Sequence, residues 1–135
     1  MKIDVDVLIR AAIAAREQAY APYSRFAVGA ALLTASGRVF SGCNVENAAY
    51  GHSICAERTA IVSAVAAGHR DFVALAVVTP TARPASPCGA CRQTMVEFNP
   101  DMTVILTNLQ GDTIQTTARE LLPGAFMPED LEHRP

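Results

Sequence analysis

Pro87-Cys88-Gly89-Ala90-Cys91-Arg92, read together with Cys55-Ala56-Glu57-Arg58 upstream, is the stretch that decides how this chain folds and what it holds. Three cysteines and a glutamate in two short patches match a catalytic zinc site. Such a site takes three protein ligands and keeps its fourth position for water, whereas a structural zinc is closed by four ligands. Cys88 and Cys91 stand three apart at the start of an expected helix, from 87 or 88 to about 98, so their sulfurs would share one side of its first turn. Pro87 suits that turn, where an N–H has no intrahelical use. Cys55 opens a second expected helix over 55–67, with Gly68 as its stop and with Ile61 and Val65 on one packing face. Both helix N-termini would therefore point at one ion, and their positive dipole ends would favour thiolate over thiol. Between the two helices, Phe72–Thr79 is nearly all apolar, as expected of a strand buried on both faces. A polar, proline-bearing connection over 80–86 follows it.

Outward from this unit the pattern alternates. Apolar residues at Val5, Leu8, Ile9, Ala12, Ile13 and Ala15 recur at steps of three and four, which predicts an amphipathic helix over 4–19 with Asp4 as N-cap. Tyr20-Ala21-Pro22 ends it, since the residue before a proline is pushed out of helical geometry. Extended runs over 26–34 and 38–44 are joined by Ala35-Ser36-Gly37, a hairpin-like spacing. Downstream, a strand over 103–107, a turn at Gln110-Gly111-Asp112, a short extended piece over 113–116 and a small helix over 118–122 complete the order. The fold class expected is α/β: a three-layer α/β/α sandwich around a mixed sheet of about five strands, as one domain spanning 1–135. Only the tail over 129–135 looks dispensable.

Composition limits the function. Half the residues are hydrophobic, and the net charge is -2 with 11 Lys plus Arg and no basic run, so nothing advertises a polyanionic nucleic acid as partner. No apolar segment approaches the roughly 20 residues needed to cross a bilayer. The N-terminus leads straight into charged, periodic sequence, so the expected location is the cytoplasm. Four cysteines in that setting read as reduced thiols or metal ligands rather than a disulfide framework. The expected partner is a small molecule.

Three thiolates on Zn²⁺ leave the ligand shell at a net charge of about -1, which weakens the metal as a Lewis acid unless something offsets it. Arg58 and Arg92, each directly beside a ligand motif, are the candidates to donate charge-assisted hydrogen bonds to sulfur.

A zinc-ligating residue, one intervening residue and a glutamate, followed downstream by PCxxC, is the known signature of zinc base deaminases. With it the chain resembles the cytidine deaminase family, specifically its small all-cysteine type. The likeness runs from Tyr20 to Phe126. It implies Cys55, Cys88 and Cys91 as ligands of one Zn²⁺ per subunit, and Glu57 as the catalytic acid and base near the metal without binding it. It favours Arg58 over Arg92 for charge compensation. Tyr23-Ser24-Arg25-Phe26 looks like the stretch whose phenylalanine, Phe26, lies against the pyrimidine. Cys43-Asn44-Val45-Glu46-Asn47-Ala48 looks like the nucleoside-binding stretch, with Asn44 and Glu46 on the ribose 3′-hydroxyl and Val45 between them. Ala56 would offer its backbone N–H to the base carbonyl. Phe126, in Leu121-Leu122-Pro123-Gly124-Ala125-Phe126, would reach a neighbouring subunit's site, with Tyr50 in a similar supporting position. A homotetramer is implied, as is hydrolytic deamination of cytidine and 2′-deoxycytidine in pyrimidine salvage. Ser53 departs from many relatives, which carry a further non-ligand cysteine there.

Other readings compete. Four cysteines can close a structural Cys₄ zinc, although Cys43 lacks a paired CxxC partner and suits a small buried hydrophobe. Cys88-Gly89-Ala90-Cys91 after a strand also suits a thioredoxin-like dithiol, which leaves Cys55 and Glu57 unexplained. His52, three before Cys55, reads as a solvated or packing histidine because three ligands already complete the signature; His69 and His133 read as surface residues. Among enzymes, a deaminase of another small cytosine compound, such as a nucleoside antibiotic, is the nearest alternative. A polynucleotide-editing deaminase would need a basic, aromatic-bearing channel.

Overall fold

The N-terminal helix, α1 (Val5–Arg16), forms where the apolar spacing requires it in the computed structural model, which describes residues 2–131. Asp4 caps it, its Oδ1 accepting from the Val7 N–H at 3.2 Å. The helix ends before 19 because Glu17, Gln18 and Ala19 turn to carbonyls three residues back, which tightens the last turn ahead of Pro22. Strands β1 (Gly29–Thr34) and β2 (Val39–Cys43) make the expected hairpin. Helix α2 (Ala56–Ala66), strand β3 (Phe72–Thr79) and helix α3 (Gly89–Phe98) follow. Strands β4 (Thr103–Asn108) and β5 (Thr113–Thr117) and the short helix α4 (Ala118–Leu121) complete the architecture.

The five strands form one sheet in the order β2-β1-β3-β4-β5. Only β3 and β4 run parallel, and α3 is the crossover that parallel pairing demands. Helix α1 lies on one face, while α2, α3 and α4 pack with the core of the other, so the three-layer mixed α/β arrangement stands as expected. Strand parity sorts the side chains. Leu32, Leu75, Val77, Val104 and Leu106 point toward α2 and α3, whereas Ala31, Ala74, Ala76 and Ile105 point toward α1. The alanines on the second face let α1 approach closely, and a Cβ on Gly29 would stand only 1.9 Å from the Ala12 carbonyl oxygen.

Gly42 does the same for the other layer. A Cβ there would meet the Ala60 nitrogen at 2.5 Å and the Ala56 oxygen at 2.6 Å, so the first turns of α2 rest directly on β2. Ala56, Ala60 and Ala64, at steps of four, form the face that makes this approach possible, beside the expected Ile61.

Several boundaries differ from expectation for identifiable reasons. The first strand begins at Gly29 rather than 26, because the Asn44 side chain takes the place of strand backbone there: its Oδ1 accepts from the Val28 N–H at 2.9 Å and its Nδ2 donates to the Phe26 oxygen at 2.7 Å. Pro87 is not in the first turn of α3; Cys88 is the N-cap, with an extended backbone, and Pro87 lies outside. Cys55 is likewise the N-cap of α2. A single 3-10 turn at Tyr50–His52 was not evident in the sequence pattern. Part of the 129–135 tail is ordered as a second 3-10 turn, Pro128–Leu131, where the Met127 N–H bonds the Asp130 carboxylate at 2.8 Å. His133 lies outside the described residues.

Candidate active site and metal centre

A cavity of about 250 Å³ opens beyond the carboxyl end of β3, bounded by the starts of α2 and α3. This is where open α/β sheets place their ligands. Cys55 and Cys88 reach it because each occupies the extended N-cap of its helix, and Cys91, on the first turn of α3, is fully buried behind them. Among the described residues, the Sγ atoms of these three cysteines form a group within 4.8 Å of one another, with Cys55 to Cys88 at 3.7 Å and Cys88 to Cys91 at 3.4 Å. Tetrahedral zinc–thiolate bonds of about 2.3 Å require sulfurs about 3.8 Å apart. The donor set therefore fits a zinc ion with one position open.

No other His, Cys, Asp or Glu of the described residues belongs to that group, which argues against the Cys₄ closure through Cys43 and against His52 as a ligand. The dithiol reading fails on the same geometry, since Cys55 approaches Cys88 as a third thiol and all four cysteines are free. Without a metal, the Cys55 thiol is pushed down to about 5, first by its hydrogen bond with Cys91 and further by the Arg58 guanidinium. The Cys91 thiol moves the opposite way, through the same shared hydrogen bond, burial and the nearby Glu57 carboxylate. The cluster thus holds a thiolate readily and strains to hold more than one, as expected of ligands awaiting a cation.

Glu57 lines the cavity from the first turn of α2 and is only 5% exposed. Burial raises its carboxyl above the ordinary value, and the Cys55 thiolate adds to the rise. It stays outside the sulfur group, as a proton carrier beside a metal must. Ala56, also on the cavity wall, is the first residue of α2, so its N–H has no intrahelical acceptor.

The two arginines separate. Arg58 sends Nη2 toward the Cys55 sulfur at 3.9 Å and the Ser53 oxygen at 3.5 Å, and its buried Nε–H has no partner among the described residues. Arg92 donates instead to backbone carbonyls, Nε to Pro87 at 2.8 Å and Nη1 to Leu121 at 2.6 Å. Its pairing with zinc thiolates is thus replaced by a structural role, fastening the start of α3 to the C-terminal segment.

Of the residues expected to contact a nucleoside, Phe26 and Asn44 line the same cavity as Glu57. Glu46 does not. It faces a second cavity of about 220 Å³ with Tyr23, Ser24, Tyr50 and Ser53. There its carboxylate accepts from the Tyr23 N–H at 3.0 Å, the Ser24 N–H at 3.1 Å and the Ser24 hydroxyl, and the last of these chiefly holds it below the usual carboxylate range. Val45 is held by paired backbone bonds to Ile54, each 2.9 Å, and its side chain is exposed. Tyr50 and Phe126, 73% and 57% exposed, do not line the Cys–Glu57 cavity of their own chain. Thr79, Ala85 and Ser86 do, and sequence reasoning missed them. Their signal was faint: Thr79 is the one hydroxyl at the end of an otherwise apolar strand, where a parallel sheet presents its ligand face.

Comparison with known proteins agrees with this geometry. The family model described as cytidine and deoxycytidylate deaminase zinc-binding region matches residues 3–107. A cytidine deaminase of Sporosarcina psychrophila is 58% identical over 132 residues, covering 97% of each chain. One of Halalkalibacterium halodurans is 58% identical over 130 residues, covering 96% of this chain and 98% of that one. The crystal structure of cytidine deaminase from Burkholderia pseudomallei superposes with a TM-score of 0.90 at 60% identity, covering 92% of this chain and all of the other.

Proposed function

Because this chain belongs to the cytidine and deoxycytidylate deaminase family, we propose that Cys55, Cys88 and Cys91 bind one zinc ion and that Glu57 moves the protons of a hydrolytic deamination beside it. The enzyme converts cytidine and water to uridine and ammonia, and 2′-deoxycytidine likewise to 2′-deoxyuridine. The observation that carries the assignment of roles is the buried Glu57 carboxyl on the cavity lined by Cys55 and Cys88, two of the three converging thiols. Zinc, when bound there, would supply Lewis acidity that lowers the pKa of water toward roughly 7.

Glu57 accepts the proton of the attacking water and passes it to N3 of the cytosine, making C4 electrophilic. It delivers the second proton to the departing ammonia. Its raised carboxyl suits both duties, since a group that trades protons near neutrality must neither hold nor shed them too strongly. The free Ala56 N–H holds the base carbonyl, and Phe26 packs against the ring. Asn44 and Glu46 secure the ribose 3′-hydroxyl, Asn44 with its second amide hydrogen and oxygen lone pair, while Val45 shapes the segment between them. A buried site that demands a hydroxyl rejects ligands lacking it strongly. Arg58 offsets the negative charge of the sulfur shell.

The whole chain, 1–135, acts as one domain within a homotetramer. The exposed Tyr50 and Phe126, which do not line their own chain's Cys–Glu57 cavity, supply the aromatic surface that a neighbouring subunit would use. No helix of the described residues is long and apolar enough to cross a membrane. Free thiols suit the reducing cytoplasm, where pyrimidine salvage would use the enzyme.

The test is to follow the loss of cytosine absorbance on incubating the purified protein with cytidine, with and without a zinc chelator, and with Glu57→Gln in parallel. We expect the chelator to abolish turnover and Glu57→Gln to keep zinc while losing at least about 10²-fold in kcat. Substantial deamination by the zinc-loaded variant would remove Glu57 from its role.

A further inference from the structure

We propose that Ser24 is a positioning residue for nucleoside binding, its hydroxyl tying the Glu46 carboxylate to the backbone of Phe26 so that the sugar-facing and base-facing sides of the site are set together. The proposal rests on the reading that Phe26 and Glu46 contact the nucleoside. It starts from the two cavities, which share no residue yet hold those two side chains in separate walls. Something must keep their spacing constant.

The Ser24 hydroxyl donates to Glu46 Oε2 and accepts from the Phe26 N–H at 3.0 Å. On the other side of Phe26, its carbonyl accepts from Asn44 Nδ2 at 2.7 Å. Phe26 is therefore gripped at both peptide groups by side chains. Asn44 and Glu46 are two residues apart on a segment held between Tyr20 and Ile54, so the path Phe26, Ser24, Glu46, Asn44 and back to Phe26 is a closed ring. Ser24 is the one member of that ring with no proposed contact to the nucleoside.

The backbone shows how tightly this ring is drawn. Arg25, spanned by the Ser24 to Phe26 bond, sits at φ 58°, the only non-glycine with positive φ among the described residues. A side-chain-bearing residue stays in that region only where its surroundings hold it. The Arg25 N–H is bonded to the Ala21 oxygen at 2.9 Å, and the serine hydroxyl closes the following peptide. Alanine at 24 would leave the Phe26 N–H without its acceptor and one Glu46 oxygen without its donor. Threonine would keep both bonds.

The experiment uses the zinc-loaded enzyme and compares Ser24→Ala, Ser24→Thr, Glu46→Gln, Phe26→Ala and the double variant Ser24→Ala/Glu46→Gln in cytidine kinetics, with metal content measured for each. We expect Ser24→Ala to raise KM roughly three- to ten-fold, the range for loss of one ordinary hydrogen bond at a solvent-exposed site, with kcat within about two-fold and zinc unchanged. Ser24→Thr should return KM to within about two-fold of the parent. Because the tie needs both of its ends, the loss of Ser24 should raise KM by a smaller factor in the Glu46→Gln background than in the parent. An unchanged KM in Ser24→Ala, additive effects in the double variant, or a threonine no better than alanine would each overturn the proposal while leaving the site intact. Glu46→Gln and Phe26→Ala both without effect on KM would instead fail the underlying reading, and the proposal with it.

Discussion

Glu57 has two consequences at the scale of one residue, because the burial that suits it for proton transfer also makes it a burden. Its folded-state carboxyl is raised, first by desolvation and then by the Cys55 thiolate, so folding disfavours its charged form relative to the unfolded chain. The sign follows: stability is fullest below the unfolded carboxyl value of about 4.3 and declines as pH rises toward the folded value. In metal-free protein, Glu57→Gln should therefore be more stable than the parent at pH 7, with the difference vanishing near pH 4; denaturant titrations at the two pH values measure it. Arg58 and Arg92 offer a second contrast. Arg58→Ala should weaken zinc retention or activity by about 10–100-fold, as losses of groups that orient metal ligands do. Arg92→Ala should act on folding, losing two bonds to backbone carbonyls worth about 1 kcal/mol or more each, with a smaller effect on the zinc-loaded kcat. Competitive chelation and thermal unfolding distinguish the two. The approach of Cys88 to Cys91 was legible in sequence because their spacing alone brings the sulfurs together, but the division between the arginines was not. Both flank a motif, and only packing decides which guanidinium meets sulfur and which meets carbonyl oxygen.

At the scale of elements, the site depends on how closely α2 rests on β2. Gly42 is the contact point, and the atoms its Cβ would strike belong to the turn that follows Cys55 and carries Glu57. Gly42→Ala should cost about 1–3 kcal/mol of stability, as overpacking does, and should reduce zinc affinity as that turn shifts. Gly51→Ala, where a Cβ meets nothing within 4 Å, serves as the control and should leave both unchanged. Chemical denaturation and zinc competition provide the readings. Helix and strand positions were visible from periodicity, and β3 matches its expected span because a short unbroken apolar run suits a strand covered on both faces. The first strand was misjudged by three residues, since no period records that Asn44 would stand in for backbone pairing.

For the molecule as a whole, the exposed aromatic surface is the feature that bears on function. Tyr50 and Phe126 lie exposed on a chain whose own metal cavity they do not line. Light scattering should give four copies, and Tyr50→Ala or Phe126→Ala should raise KM while zinc content stays unchanged; a fully active monomer would exclude shared sites. The sequence by itself determined the layer order and singled out Cys55, Cys88, Cys91 and Glu57 as candidates, because the layers follow from local periodicity and the candidates from the deaminase signature. Only the tertiary structure decided that Glu46 turns to the Tyr23–Ser24 loop, that Arg92 serves the backbone, and that Thr79, Ala85 and Ser86 complete the cavity. The reason is physical: a hydrogen-bonding side chain chooses among partners far apart in the chain, and that choice exists only once the layers have packed and brought the competitors within reach.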